Sequence, residues 1–317
     1  MQRRRLGRTE IEIAPMVFGG NVFGWTADEA TSCDLLDRFV AAGGNCIDTA
    51  NVYSAWAEGH SGGESETVIG SWLKRRGRRD EVVIATKVGM KMGDGSKGLA
   101  PDYIRRSLDD SLRRLGTDYV DLYQAHEDDP TVPLEETLGA FAELIEAGKV
   151  RAIGASNYEA PRLQEALDAS ARLGLPRYET LQPHYNLRHR QAFEAAQQPL
   201  CRREEIGVIP YFGLARGFLT GKYRSKDDIG QSVRGSGVVD YLDARGRAIL
   251  EALDAVAAEQ RATPAQVALA WLMARPTVAG PIVSATKPAQ LEDNLKALGL
   301  ELTADQTARL DAASAGG

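Results

Sequence analysis

The sequence predicts an α/β protein of the (β/α)8 TIM barrel class with an N-terminal β-hairpin. Three observations predict it: short hydrophobic runs alternate with helical segments eight times in 317 residues, proline and glycine mark the helix ends, and polar side chains gather where the runs end. Buried parallel strands are near-continuous hydrophobic runs, and eight strand–helix units in about 250 residues or more are typical of such barrels. We therefore expect residues 1–317 to form a single barrel domain.

The elements alternate in a regular order along the chain. Residues 5–13 alternate polar and apolar positions around a Gly-Arg-Thr-Glu turn, which favours a small hairpin that plugs or caps another part of the fold. Strands are expected at residues 16–19, 45–48, 82–86, 120–124, 150–155, 179–182, 207–211 and 278–283. Helices are expected after them, at about residues 28–42, 64–74, 101–115, 134–147, 160–173, 191–205, 244–260 and 288–298. Proline suits helix starts, as at Pro101 and Pro288, and glycine suits helix ends, as at Gly116 and Gly174.

Two segments break this rhythm, residues 88–100 and 225–243. Both come after strands, so they lie on the rim at the strand ends, where long loops without regular structure are often lids. The first contains Gly93-Asp-Gly95-Ser-Lys-Gly98, which matches the dinucleotide fingerprint G-x-G-x-x-G. That fingerprint requires its first glycine directly after a strand, whereas Gly93 lies well past Thr86. A flexible loop is the better interpretation.

The composition excludes several classes of protein. A net charge of -6 argues against a nucleic-acid or anionic-membrane surface, because such surfaces need clustered excess Lys and Arg. Three cysteines without paired spacing indicate reduced thiols rather than a metal site or a disulfide framework. No segment approaches the roughly 18 apolar residues of a membrane span. We expect a cytoplasmic protein without membrane partners, and both a monomer and a homo-oligomer stay open.

Chemically useful side chains stand at or just past the ends of five hydrophobic runs: Asp48, Lys87, His126, Asn157 and Gln182. A barrel brings all its strand ends to one rim, where such barrels keep their active sites. Each residue also has a plainer interpretation. Asp48 could cap a turn, Lys87 could be solvated and His126 could pair with the three acids directly after it. Their joint occurrence on successive strands favours function.

Six segments stand in order and at barrel spacing: Gly44-Asn-Cys-Ile-Asp48-Thr-Ala-Asn-Val-Tyr53, Ala85-Thr-Lys87, Tyr123-Gln-Ala-His126, Ile153-Gly-Ala-Ser156-Asn157-Tyr158, Gln182-Pro-His-Tyr185-Asn186-Leu187 and Gly217-Phe-Leu-Thr-Gly-Lys222-Tyr. Together they resemble the aldo-keto reductases, including the potassium-channel β-subunit branch. The resemblance extends from the Leu6-Gly-Arg-Thr hairpin to Gln290-Leu-Glu-Asp-Asn294. It implies an NAD(P)H-dependent reductase of small aldehydes and ketones. The catalytic residues that it implies are Asp48, Tyr53, Lys87 and His126.

Carbonyl reduction independently asks for these residue types. Hydride transfer to the carbonyl carbon leaves an alkoxide, which must be protonated and stabilised. A phenol such as that of Tyr53 can donate the proton, but an ordinary phenol pKa of about 10 calls for a nearby ammonium that favours the phenolate. Lys87 is the candidate, Asp48 can keep it charged, and His126 can hydrogen-bond the substrate oxygen. A lone Tyr at this position could instead be packing.

For the cofactor, the resemblance implies Ser156, Asn157 and Gln182 at the nicotinamide carboxamide and Tyr211 against its ring, although Tyr211 could instead be a core aromatic. The remaining cofactor contacts that it implies are Leu214, Gly217, Lys222, Ser284, Thr286, Lys287, Gln290 and Asn294. Many relatives read Ser-Pro where this chain has Phe212-Gly213, and many place Arg at Thr286. The cation for a 2'-phosphate would then come from Lys287 or Arg234. We expect NADP (NADPH), and NAD stays open.

Trp25 comes after the first strand and Trp56 lies three residues past Tyr53, so both are expected over the carbonyl site, unless they pack beneath loops. An aromatic wall favours aryl and medium-chain aldehydes over charged sugars.

Two other function classes stay open. One is a nucleotide-binding, redox-sensing regulatory module with slow or no turnover, and the other is a barrel isomerase with Lys87 as a Schiff base. The complete catalytic set disfavours both, and His60, His184 and His189 are expected to be structural or surface residues.

Overall fold

The backbone forms two sheets in a computed structural model, which describes residues 2–232 and 235–315. The first sheet is an antiparallel hairpin of β1 (Arg4–Arg5) and β2 (Glu12–Ile13). The second sheet has eight parallel strands: β3 (Val17–Gly19), β4 (Cys46–Asp48), β5 (Val83–Val88), β6 (Val120–Ala125), β7 (Val150–Ser156), β8 (Tyr178–Gln182), β9 (Gly207–Val208) and β10 (Ile282–Val283).

The parallel sheet curls until its two edges meet. From β3 to β9 each strand pairs with the next along the chain, and β10 pairs with β3. Backbone bonds join β9 to the segment before β10. The Val208 N–H donates to the Thr277 carbonyl, and the Ala279 N–H donates to the Val208 carbonyl, both at 2.8 Å. The predicted (β/α)8 barrel with an N-terminal hairpin is confirmed.

The barrel interior is apolar at one end and polar at the other. Leu6, Ile11 and Ile13 of the hairpin are buried in a cluster with inward-facing strand residues, so the hairpin caps the amino-terminal end. Side chains of a strand alternate between its two faces. Along β4, β5 and β6 an inward apolar residue therefore precedes an inward polar one by two positions: Cys46 and Asp48, Ala85 and Lys87, Leu122 and Gln124.

Helices surround the strands, and the larger hydrophobic cluster fills the space between them. They are α1 (Glu29–Ala41), α2 (Glu64–Arg76), α3 (Pro101–Leu115), α4 (Leu134–Glu146), α5 (Ala160–Leu173), α6 (Gln198–Arg203), α7 (Ala244–Gln260), α8 (Pro264–Met273), α9 (Pro288–Lys296) and α10 (Ala304–Ser314). The predicted punctuation is confirmed at Pro101 and Pro288, which lie in first turns, and at the left-handed C-caps Gly116 and Gly174. None of the described helices has the length and apolarity needed to cross a membrane.

Apart from β9 and β10, which are shorter than the strands expected at 207–211 and 278–283, the structure differs from the sequence prediction in three places. Helices α8 and α10 were not predicted; residues 265–273 of α8 are all buried, so α8 lacks the polar face that marks an amphipathic helix. The expected helix at 191–205 contains a π-helical turn, Phe193–Gln197, before α6, where Pro199 has no N–H to donate. The expected loop at 225–243 contains short 3-10 turns at 226–231 and 235–241.

Candidate active site

A cavity of about 610 Å³ opens at the carboxyl ends of the barrel strands. The expected site residues on its wall are Tyr53, Trp56, His126, Ser156, Asn157, Gln182, Tyr211, Leu214, Gly217, Lys222, Ser284, Thr286, Gln290 and Asn294. Trp25 and Lys287 are not on that wall, and Arg234 lies outside the described residues. Asp48 and Lys87 are fully buried beneath it.

Asp48 and Lys87 form an ion pair with no exposed surface on either side chain. The Lys87 Nζ donates to Asp48 Oδ2 at 2.6 Å, to the Thr49 carbonyl at 2.7 Å and to the Tyr53 hydroxyl at 2.9 Å. Burial lowers the pKa of Lys87, and the Asp48 carboxylate opposes that shift. All three protons of the ammonium are therefore directed to oxygen, which is what a buried charge requires.

Both oxygens of the Asp48 carboxylate also accept hydrogen bonds. Its Oδ2 also accepts the Tyr53 hydroxyl at 3.2 Å, and its Oδ1 accepts the amide of Gln182 at 2.9 Å and that of Gln124 at 3.4 Å. Gln124 was not among the residues expected in the site. Strand alternation was the signal that could have found it, since Gln124 shares the inward face of β6 with Leu122.

His126 lies just past β6 and lines the cavity beside Tyr53, with their ring centroids 5.9 Å apart. Burial, and to a lesser extent the nearby Lys87 ammonium, lowers the pKa of His126 well below 6.5, so the ring is neutral at pH 7. Its Nδ1 is buried and has no partner among the described residues. The alternative in which His126 pairs with the acids after it is not observed, since Asp128 pairs with Arg162 at 3.0 Å.

The expected carboxamide-binding residues are tied to one another. Asn157 has a left-handed φ of 58° and donates its amide to the His126 carbonyl at 2.8 Å. Its Oδ1 accepts the Tyr211 hydroxyl at 2.8 Å. The Ser156 hydroxyl donates to the Gln182 carbonyl at 2.9 Å. Because the Gln182 amide donates to Asp48, the Gln182 Oε1 is the part of that side chain left for a ligand.

Tyr211 is supported from one side. Its ring lies 5.3 Å from that of His184, nearly parallel at 16°, and His189 lies 4.1 Å beyond His184. Burial lowers the pKa of His184 to about 4 and also lowers that of His189, so both are neutral supports at pH 7. His184 and His189 are structural, as expected.

The segment after β9 contributes two basic residues to the cavity wall. They are Lys222 and Arg216, and Arg216, which was not expected there, lies 4.8 Å over the Phe212 ring. Phe212, Ala215 and Arg216 all have left-handed φ values, of 54°, 47° and 58°. Strained non-glycine residues of this kind concentrate at functional sites. At the start of α9, Gln290 accepts the Thr286 N–H at 2.9 Å, which orders the last strand end.

Comparisons with known proteins agree with this geometry. The model of the "Aldo/keto reductase family" matches residues 15–315. Protein tas of Escherichia coli strain K12 is 34% identical, over 98% of this chain and 97% of its own length. Norsolorinic acid reductase of Aspergillus flavus is 31% identical, over 95% and 78%. A protein described as a probable voltage-gated potassium channel subunit beta, from Oryza sativa subsp. japonica, is 33% identical over 94% and 91%.

The lowered pKa of His126 predicts a specific loss of stability in acid. The unfolded chain takes up a proton as the pH falls through about 6.5, whereas the folded His126 does not. The free energy of unfolding should therefore fall by up to about 1.4 kcal/mol per pH unit below that value for this residue. Urea unfolding of the parent and of His126→Gln at pH 7.5 and pH 5 measures this loss. Groups other than His126 titrate in both proteins, so the difference between the two losses is the contribution of His126. Equal losses in the two proteins would contradict the assignment.

Proposed function

The chain belongs to the aldo/keto reductase family and is an oxidoreductase, and we propose that it reduces small aldehydes and ketones to alcohols with NADPH, Tyr53 being the general acid. The observation that carries the proposal is the junction of Tyr53 with the buried Asp48–Lys87 pair. The Tyr53 side chain reaches the cavity wall, while its hydroxyl bonds both charges. A phenol in this position connects the substrate space to a buried ammonium.

The contacts of Tyr53 support a definite proton chemistry. When bound, a reduced nicotinamide nucleotide supplies the hydride. Tyr53 donates its hydroxyl proton to the carbonyl oxygen, and Lys87, at 2.9 Å, stabilises the phenolate that remains. Asp48 keeps Lys87 charged in a site without water contact. A ring N–H of neutral His126 donates a hydrogen bond to the same substrate oxygen and orients it.

The residues present fit a nicotinamide nucleotide. Tyr211 has His184 against one face and also lines the cavity, which favours its other face as the support for a flat ring. The Gln182 Oε1 can accept from the carboxamide, and Ser156 and Asn157 lie beside it. Leu214, Gly217, Arg216 and Lys222 would contact the phosphates, and Ser284, Thr286, Gln290 and Asn294 would hold the adenosine end.

Trp56, supported by Trp25 behind it, is proposed as the aromatic wall of the carbonyl site. Their rings meet edge to face at 5.7 Å, and Trp56 is 50% exposed and lies 5.9 Å from the Tyr53 ring. Trp25 supports Trp56 from outside the cavity wall.

The KM of Trp56→Ala for an aryl aldehyde should rise severalfold without a change in nucleotide affinity, as for lost substrate binding. An unchanged KM would assign both tryptophans to loop packing.

A nucleotide-binding regulatory module with little or no turnover is the second candidate. It is supported by the 33% identity to the protein described as a potassium channel subunit beta. The joined Asp48, Tyr53 and Lys87 favour turnover instead. Steady oxidation of NADPH in the presence of 4-nitrobenzaldehyde supports the reductase, and nucleotide binding without turnover supports the module.

The role of Tyr53 predicts that Tyr53→Phe loses about 10²- to 10⁴-fold in kcat, since it removes both the proton donor and a stabiliser of the alkoxide. Nucleotide affinity should stay within about twofold, because the hydroxyl bonds to Asp48 and Lys87 point beneath the cavity. Steady-state reduction of 4-nitrobenzaldehyde, with fluorescence titration of NADPH, measures both. Tyr119→Phe, at a half-buried tyrosine just before β6 that is not on the cavity wall, is the matched control. Turnover of Tyr53→Phe within a few-fold of the parent would exclude Tyr53 as the acid.

The basic residues Arg216 and Lys222 on the cavity wall and the start of α9 predict a preference for NADPH over NADH. The two dissociation constants should differ by at least about tenfold. One charge-assisted contact to a 2'-phosphate is worth about 1.5–3 kcal/mol. Lys287, the exposed N-cap residue of α9, and Arg234 are the proposed sources of that contact. Lys287→Gln should reduce the preference, whereas Lys296→Gln in the last turn of the same helix should not. Equal dissociation constants of the parent for both nucleotides would contradict this.

A further inference from the structure

Glu127 comes directly after His126 and is the one acidic residue on the cavity wall among the described residues. The two acids after it are held by the fold. Asp128 pairs with Arg162 at 3.0 Å, and Asp129 accepts the Leu99 N–H at 2.9 Å and the Thr131 hydroxyl at 2.6 Å. Within residues 2–232 and 235–315, the Glu127 carboxylate has neither an ion pair nor a hydrogen bond. The structure therefore leaves one carboxylate of this acidic run for a ligand.

The cavity separates its charges. The cationic residues on the described part of its wall, Arg216 and Lys222, lie on the segment after β9, whereas Glu127 lies beside His126. The proposed carbonyl site beside His126 therefore has a negative residue as its neighbour, whereas the two cationic residues of the described wall come from a different segment. A half-buried carboxylate attracts a cation and repels an anion over several ångströms.

Trp56 adds a second attraction for the same chemical group. Its indole lines the cavity and is half exposed, and cations bind over the faces of aromatic rings, most strongly over tryptophan. A carboxylate and an indole that line the same cavity suit an ammonium group, which gains a counter-charge and a π face. A carboxylate-bearing substrate would instead meet a like charge.

On the basis of the proposed reductase activity, we propose that Glu127 makes this protein selective for aldehydes that carry an ammonium group, over neutral and, above all, anionic aldehydes. Three para-substituted benzaldehydes test it: 4-(trimethylammonio)benzaldehyde, 4-nitrobenzaldehyde and 4-carboxybenzaldehyde. The same ring presents a cation, a neutral group or an anion at one position.

In the parent protein, kcat/KM should decrease in the order ammonium, nitro, carboxylate. The kcat/KM of the ammonium aldehyde should exceed that of the carboxylate aldehyde by at least about tenfold at low ionic strength. Glu127→Gln should reduce that ratio severalfold, and the part that remains is the electronic effect of the para group on the carbonyl. Glu58→Gln removes the same charge from an exposed residue that is not on the cavity wall, so the parental ratio should persist. The ratio is the readout because a general loss of activity cancels from it. A parent without the preference, or a Glu127→Gln variant that keeps it, overturns the proposal.

A binding measurement separates this proposal from the reductase activity. The three corresponding benzyl alcohols are titrated into the parent and into Glu127→Gln by calorimetry. If no aldehyde turns over but the parent binds the ammonium alcohol most tightly and the variant does not, the reductase proposal fails and the selectivity of Glu127 stands. Equal dissociation constants for the three alcohols in the parent overturn the selectivity, whatever the turnover.

Discussion

The buried ion pair between Asp48 and Lys87 is the constraint on which the rest of the site depends. Two charges without water contact are tolerated only if every donor and acceptor is satisfied. The barrel provides this through four further residues. Lys87 bonds the Thr49 carbonyl and Tyr53 as well as Asp48, while Asp48 Oδ1 accepts the amides of Gln182 and Gln124. Tyr53 and Gln182 are the members of this network that also reach the cavity, so the energetic requirement of the pair fixes both the proposed acid and a proposed cofactor contact in place.

A glycine on β7 provides the space that this network needs in the barrel interior. Gly154 on β7 faces inward, and a Cβ there would lie 2.1 Å from Thr180 Oγ1 and 3.2 Å from the Cγ of Gln124. The absence of a side chain at Gly154 lets the Gln124 amide approach Asp48. The hairpin caps the opposite end with Leu6, Ile11 and Ile13, so the apolar layer and the polar layer lie at opposite ends of the barrel. Polar chemistry at one end thus depends on tight apolar packing at the other.

Features that depend on burial could be predicted from the sequence, whereas features that depend on loop conformation could not. Asp48 and Lys87 were predictable because a charged residue in a buried strand is costly and needs a reason. Gln124 could have been found from strand alternation, since it shares the inward face of β6 with Leu122, whereas α8 has no polar face that marks it as a helix. Trp25, Lys287 and Arg216 lie on rim segments, whose conformation does not follow from a periodic sequence pattern. Trp25 and Lys287 were expected on the cavity wall and are not there, whereas Arg216 was not expected there and is.

If the Lys87 ammonium drives proton donation by Tyr53, single-turnover reduction of 4-nitrobenzaldehyde by Lys87→Met should reveal it. Mixing the NADPH-loaded variant with excess aldehyde isolates the chemical step from product release, and Tyr53 keeps its bond to Asp48. We expect a loss of at least about 10²-fold in the single-turnover rate, with the dissociation constant of NADPH within about twofold of the parent. A single-turnover rate within a few-fold of the parent, in a folded variant, would show that Tyr53 does not depend on Lys87.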